Sequence, residues 1–368
     1  MPDPIPIMLM VRELGPGGTE RQLTELARTL DSSRLQVHVG CFHEGLRANE
    51  LRAAGIPILR LPVTSFLNAS AAAGAWQLGR YLRRHKIRLV HTFDYPLNCF
   101  GVPVARAFGI AVVLSSQRFH RQLTPRSYLR LLRLTDRIVN GVIVNSESVR
   151  REMVEEEHVS VSRVHLCYNG IDITRFNPGE RLRTPALQNA SLVIGVVCLL
   201  RPEKGLPTLL RAFAQLWRRD EGVRLVIVGS GPEQSGLELL AQELGIGQQC
   251  VFHPAVANVP PWLRSIDIFV LPSLSEALSN SLMEAMACGC ACIASCVGGN
   301  PELLRDGETG LLFEPGNVEE LSEKLFWLAA NPGPRHRLAQ ASVRAIRERF
   351  SLAASAERMH EIYERYLL

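Results

Sequence analysis

Strand-like apolar runs alternate with helix-patterned stretches along the whole chain, and the alternation starts over once. The first series reads as strands at Ile5–Val11, Leu35–Phe42, Ile56–Leu61, Leu89–Thr92, Ala111–Ser115 and Val142–Asn145. Helix patterns at Glu20–Leu30, Ala71–His85 and Ser127–Ile138 fall between them. Most of the runs lack period-two alternation, as expected of strands covered on both faces. Strand and helix in turn imply parallel units with right-handed crossovers. Residues 177–189 are polar and aperiodic with two prolines, and read as a linker. The series then restarts at Leu192–Leu199, Arg224–Val228, Val251–His253, Ile268–Leu271 and Ala291–Ala294, with helices at Leu206–Trp217, Gly236–Leu244, Ser279–Ala287 and Val318–Ala329. The expected architecture is α/β, two doubly wound Rossmann-like domains at 1–185 and 186–350 facing across a cleft. A last helical stretch, Ala353–Tyr366 within 351–368, can pack back on the first domain.

At 368 residues, 46% apolar and 21% charged, the chain is neither disordered nor fibrous. Its longest apolar run, Leu192–Leu200, is far shorter than the ~20 residues of a membrane span. MPDPIPIMLMV has no basic region or cleavage site of a signal peptide, so a cytoplasmic location is expected. Charge is uneven: 25 basic residues face 16 acidic ones up to Arg183, and 16 face 20 beyond it. Two domains with different partners fit that asymmetry. Nine cysteines without an export signal read as free thiols. Cys288, Cys290, Cys292 and Cys296 lack a C-x₂-C knuckle and read as core, not as a metal site.

Open parallel sheets bind ligands beyond the carboxyl ends of their strands, which directs attention to the loops there. Gly15-Pro-Gly17-Gly18-Thr-Glu20 joins the first strand to the first helix and could bring backbone N–H groups to an anion. It is not a dinucleotide fingerprint, since Glu20 stands at the third glycine position and no acidic residue ends the second strand. Arg201-Pro-Glu-Lys204 follows the first strand of the second series, and two cations there suit a diphosphate. Val228-Gly229-Ser-Gly-Pro is a further glycine turn. In Pro272-Ser-Leu-Ser-Glu276-Ala-Leu278-Ser279-Asn280-Ser-Leu-Met-Glu284, one carboxylate lies in a loop and the other one turn into a helix. Carboxylates accept from hydroxyl pairs, so each could hold one end of an elongated sugar-bearing ligand.

In order along the chain, Gly-Gly-Thr-Glu, Asn-Ser-Glu-Ser-Val, Tyr-Asn-Gly-Ile-Asp, Arg-Pro-Glu-Lys-Gly, Val-Gly-Ser-Gly-Pro, Leu-Pro-Ser with its two glutamates, and Gly-Gly-Asn-Pro-Glu-Leu resemble the retaining glycosyltransferases of family four, which have the GT-B fold. The resemblance implies a nucleotide-sugar donor, a UDP-sugar foremost, on the C-terminal domain. It implies a glycan or lipid-linked glycan acceptor on the N-terminal domain, in polysaccharide or cell-envelope synthesis, with no cofactor and no metal. Carried onto this sequence, Arg201 and Lys204 look like the diphosphate cations and Glu276 like the ligand of donor-sugar hydroxyls. Glu284 looks like the ribose ligand. Gly17, Gly18 and Gly229 look like loops abutting the donor, and Leu278, Ser279 and Asn280 like backbone donors to phosphate. Ala277 and Ala291 depart from the family's usual Gly and Pro. A histidine commonly stands after the fifth strand; here Ser115-Ser-Gln-Arg118-Phe-His120 leaves Arg118 and His120 as alternatives.

The basic tract Arg118, Arg121, Arg126, Arg130, Arg133 and Arg137, interleaved with leucines and opposed by Asp136 alone, reads as an amphipathic helix able to rest on an anionic membrane surface, the inner face in this case. A nucleotide-sugar epimerase and a non-catalytic nucleotide-sugar-binding protein share the fold and donor site, and stand as alternatives to transfer. No recognition-helix or aromatic-strand motif supports a nucleic-acid partner.

Overall fold

The computed structural model describes residues 3–181 and 183–368, without the side chain of Leu123. The chain forms two units. One holds the residues up to Gly170 together with Leu352–Leu368, and the other holds Ile171–Ser351. Residues 171–185 therefore belong to the second unit, against the expected division after 185. The expected linker is not free, although Leu182 in it lies outside the described residues. Arg183 donates to Asp267 at 2.8 Å, Arg181 pairs with the same carboxylate, and Arg264 Nε donates to the Asn177 carbonyl at 2.9 Å.

The first unit contains β1 (Ile5–Glu13), β2 (Leu35–His43), β3 (Ile58–Arg60), β4 (Leu89–Thr92), β5 (Val112–Gln117), β6 (Gly141–Val144) and β7 (Val164–Leu166). The second contains β8 (Val193–Val197), β9 (Arg224–Val228), β10 (Cys250–His253), β11 (Ile268–Leu271), β12 (Ala291–Ser295) and β13 (Leu311–Phe313). Among the described residues the sheet orders are β3-β2-β1-β4-β5-β6-β7 and β10-β9-β8-β11-β12-β13, parallel throughout. Both are Rossmann-like. In each, the winding reverses between the first and fourth strands, β1/β4 and β8/β11. Such a switch point opens a crevice at the carboxyl edge of the sheet.

Helices cover the sheets because the strands are apolar on both faces. Met8, Leu9, Met10, Val193, Ile194, Phe269 and Val270 are all fully buried. The last helix, Leu352–Leu367, packs into the core of the first unit through Met359, Ile362 and Tyr363. Tyr363 is fully buried, and its hydroxyl lies 2.7 Å from Nδ1 of His91, whose Nε2 lies 2.8 Å from Ser116 Oγ. Burial holds the His91 imidazole neutral, well below its usual range. Gln22 pins the chain where it leaves the unit: its amide donates to the Gly170 carbonyl at 2.9 Å and accepts from the Gly170 N–H at 3.0 Å.

Tyr363→Ala should cost about 3–5 kcal/mol, the scale of a buried aromatic removed. Tyr363→Phe should cost about 1–3 kcal/mol by leaving the buried Nδ1 of His91 without its hydroxyl partner. Urea unfolding curves test both values, and equal midpoints for wild type and Tyr363→Phe would remove the hydrogen bond from the account.

Candidate active site

The switch point of the second unit is closed by an ion pair. The loop after β8 carries Lys204 and the loop after β11 carries Glu276, so the pair spans the reversal in strand order. Lys204 Nζ donates to Glu276 Oε1 at 2.5 Å, and Ser273 Oγ donates to the same oxygen at 2.8 Å. The lysine side chain is 19% exposed and the glutamate 9%. Burial opposes the ammonium charge, but the charge and hydrogen bond of Glu276 outweigh it and hold the lysine above its usual range. Backbone contacts fix the two loops, with the Leu274 N–H donating to the Glu203 carbonyl at 2.8 Å. Ser295 Oγ, at the end of β12, donates to the Ser273 carbonyl at 2.5 Å.

Glycine is required where the neighbouring loops press on these two. Gly298 has φ +52°, and a Cβ there would stand 1.5 Å from the Glu276 carbonyl oxygen. A Cβ on Gly229, after β9, would stand 1.8 Å from the Cys198 carbonyl oxygen. Gly229 is thus spent on holding two loops in contact, a packing reason independent of any ligand. No side chain fits in either gap, so the loop backbones set the position of the pair.

Ser279 caps the helix Asn280–Ala287 by accepting from the Leu282 N–H at 3.3 Å. Glu284 lies in that helix and is 4% exposed, and Leu278 is buried beside the cap. The expected Ser279 start is therefore the capping residue, one position before the helix. Arg201 behaves differently from Lys204. It is 55% exposed and its nearest carboxylate is Glu203, 3.9 Å away. Lys204, Glu276, Glu284, Leu278, Ser279, Asn280, Gly229 and Arg201 thus all lie on loops or helix starts at the carboxyl ends of the second sheet.

The first unit brings together the residues after β1, β4 and β5. Gly17 caps and Gly18 begins the helix Gly18–Thr29. A Cβ on Gly17 would stand 2.2 Å from the Glu20 carboxylate, which itself occupies the space beside the glycine loop. Burial raises the pKa of Glu20. At the switch point of this sheet Asp94 accepts from the Arg12 N–H at 2.5 Å and the Leu97 N–H at 2.9 Å, bridging β1 to the helix Tyr95–Ala107. Burial pushes Asp94 up to about 6 despite those bonds.

Of the two alternatives after β5, Arg118 donates to the Asn169 side chain and lies 5.4 Å over the Phe93 ring. Burial pushes this guanidinium down to about 10. His120 instead has Nδ1 2.5 Å from Glu152 Oε2. The basic tract divides, contrary to its reading as one charged face. Arg121 is buried, with Asp136 at 2.7 Å and Glu157 at 3.1 Å. Arg133 also pairs with Glu157, at 2.8 Å, so Asp136 is not the only opposing carboxylate. Arg126, Arg130 and Arg137 remain exposed on the helix Arg126–Ile138. Cys288, Cys290 and Cys292 are buried free thiols, whereas Cys296 is exposed and not core. Among the described residues no group of His, Cys, Asp and Glu could hold a metal, and no helix is long and apolar enough to cross a membrane.

Comparison with known proteins covers both units. The family model described as Glycosyl transferases group 1 matches residues 182–344, and the one described as Glycosyltransferase Family 4 matches residues 16–175. The D-inositol 3-phosphate glycosyltransferase of Nocardia farcinica (strain IFM 10152) is 34% identical over 237 residues, 60% of this chain and 52% of the relative. That of Mycobacterium avium (strain 104) is 32% identical over 204 residues, 52% of this chain and 47% of the relative. The chain spans about half the length of the curated relatives it matches. HepE of Anabaena, solved in complex with UDP-glucose, aligns over 98% of this chain and 100% of that one with a TM-score of 0.86 and 20% identity. Sucrose-phosphate synthase of Thermosynechococcus elongatus aligns over 99% of each chain with a TM-score of 0.82 and 20% identity. At these identities the structural likeness is one of fold.

Separating Lys204 from Glu276 should destabilise the chain by about 2 kcal/mol in either Lys204→Met or Glu276→Leu, because each removes the oppositely charged neighbour from a largely buried charge. The double variant should cost less than the two single losses added together. A double-mutant cycle from urea unfolding measures this, and a coupling below about 0.5 kcal/mol would show that the pair contributes no stability.

Proposed function

Since the chain belongs to the family-four glycosyltransferases, we propose that it transfers a sugar, with retention of anomeric configuration and without a metal, from a nucleotide-sugar donor, a UDP-sugar foremost, to a glycan or lipid-linked glycan. The observation that carries this reading is the Lys204–Glu276 pair at the switch point of the second sheet, with Glu284 buried in the helix that follows. Two of the relatives above are named D-inositol 3-phosphate glycosyltransferases and HepE was solved with UDP-glucose, which supports a nucleotide-sugar donor.

In the proposed reaction the bond between the anomeric carbon and the diphosphate oxygen breaks, and a bond to the acceptor oxygen forms on the same face. The acceptor's hydroxyl proton passes to the departing diphosphate. Negative charge grows on that diphosphate in the transition state, where fixed cations act most strongly. Lys204 is held in place by Glu276 before any ligand arrives, so little reorganisation is needed when the charge develops. Arg201 is exposed and can swing to fork onto phosphate oxygens. With two cations for the diphosphate, no metal is required. Glu276 accepts from donor-sugar hydroxyls, and Glu284 from the ribose. The N–H groups at Leu278, Ser279 and Asn280 face the phosphates, and the Gly17–Gly18 loop abuts the donor. Arg118, which donates to the neutral Asn169 side chain, can turn its charge to the departing diphosphate more readily than His120, whose ring is already engaged by Glu152. The exposed arginines of the helix Arg126–Ile138 attach the protein peripherally to an anionic membrane surface.

Lys204→Ala and Arg201→Ala should each lower turnover at least ~100-fold, the scale of one lost charge stabiliser. Release of nucleoside diphosphate measures this, and wild-type rates in both variants would remove the assigned roles. Chelator should leave the rate unchanged. Among UDP-, GDP-, ADP- and dTDP-sugars, the true donor at ~100 times its Kd should stabilise the fold by ~2.7 kcal/mol, seen as a thermal shift. The protein should float with phosphatidylglycerol vesicles, and an Arg126→Glu/Arg130→Glu/Arg137→Glu variant should not. Equal flotation of the two would refute attachment through this helix.

A further inference from the structure

Four of the six residues 152–157 are glutamates, a composition that favours water. The structure divides them. Glu155 and Glu156 are exposed, whereas Glu152 is 6% exposed and the Glu157 side chain 7%. The backbone explains the division. The short helix Glu147–Arg151 continues as one turn of π-helix, Glu152–Glu156, in which the Glu157 N–H donates to the Glu152 carbonyl at 3.1 Å. Bonding five residues apart brings Glu157 beside Glu152, where an α-helix would bring Glu155 or Glu156. Both inward carboxylates therefore reach one partner, Arg121. Glu152 Oε1 accepts from the Arg121 N–H at 2.7 Å, and Glu157 pairs with the guanidinium at 3.1 Å.

What they hold is the segment that follows β5. Glu152 Oε2 lies 2.5 Å from Nδ1 of His120, so its two oxygens take two successive residues, one by the ring and one by the backbone. Gln117, the last residue of β5, donates to the Phe119 carbonyl at 2.6 Å. Arg118 thus stands between anchored neighbours at the carboxyl end of an interior strand. Its guanidinium goes to the neutral Asn169 side chain. The backbone of the segment is tied down on charge, and the Arg118 side chain is not. Buried ion pairs add little net stability, because desolvation offsets their attraction, so stability alone is a weak reason for this cluster.

We propose that Glu152 is a positioning residue for the transfer step. From the π-turn it fixes the backbone of residues 118–121, and so fixes the point from which Arg118 turns toward a developing negative charge. The proposal rests on the transferase reading above and adds to it a residue that acts only through its neighbours. Such preorganisation acts on turnover and not on donor binding, because a displaced charge stabiliser is missed chiefly in the transition state.

Two measurements on the full chain test it. Amide hydrogen exchange reads the hold on the segment: Glu152→Ala should speed exchange in the peptide covering 118–123 at least ~10-fold. Release of nucleoside diphosphate from UDP-, GDP-, ADP- and dTDP-glucose, with water as acceptor, reads the role. Glu152→Ala should lower kcat ~10- to 100-fold with the donor KM within ~2-fold of wild type. Glu152→Gln keeps an oxygen for the Arg121 N–H and an amide for His120, and should recover most of the loss. In an Arg118→Ala background, Glu152→Ala should lower kcat less than ~2-fold further, since the two act as a unit. Glu152→Asp, which keeps the charge and draws it back by one methylene, carries the same cycle if the alanine variant does not fold. Unchanged exchange, unchanged kcat, or an equal loss with and without Arg118 would each overturn the proposal. Faster exchange in a protein whose wild type neither shifts thermally with any of the four donors nor releases nucleoside diphosphate supports the hold on the segment and overturns the transferase reading instead.

Discussion

The contact between Lys204 and Glu276 sets the character of the second unit. Two opposite charges taken largely out of water are tolerated only when each is satisfied, and here Ser273 supplies the extra bond. The pair can form only because the loops after β8 and β11 meet at the reversal of strand order. Those loops meet because backbone lies directly on backbone at Gly205, where a Cβ would stand 2.2 Å from the Pro272 carbonyl oxygen, with Gly298 and Gly229 bringing the next loops against them. Fold, loop and charge are therefore one arrangement. The sheet order creates the crevice, glycine lets its walls close, and the pair holds a cation at its edge.

The two units share a strand order and differ in what their loops do with it. In the second, the switch point carries a cation and a carboxylate in contact. In the first, the same place carries Asp94 on the Arg12 N–H, and a glycine loop already occupied by Glu20. The first unit also carries a large hollow with an aromatic wall. One architecture used twice thus carries two different sets of loops, a buried ion pair in one unit and an aromatic hollow in the other. The C-terminal helix belongs to the first unit, since its Tyr363 and Met359 complete the core of the first sheet.

Most strands were legible because buried parallel strands are short runs of branched apolar residues. The three-residue strands β7 and β13 were too short to stand out. The helix Tyr95–Ala107 was missed because it is buried around much of its surface and contains Pro103, so it lacks a two-sided pattern. Its start was nonetheless signalled by Asp94 as cap with Pro96 in the first turn. The helix Pro332–Arg349 was also missed, with three prolines and glycines in its first turn hiding its periodicity. The basic tract misled because charge along a sequence does not say which arginines face carboxylates from elsewhere, and Glu157 sits beyond the helix.

From the chain alone one can read two parallel α/β units, the places where their strands end, and the residue types gathered at those ends. These follow from local periodicity and turn chemistry, which neighbouring residues dictate. Tertiary structure alone decided that Lys204 meets Glu276 across 72 positions, that the division falls at Gly170, that Arg121 is buried while Arg126 is exposed, and that Phe42, Phe66 and Tyr128 enclose one hollow. Each depends on which distant segments the sheet order brings side by side, and no local pattern encodes that.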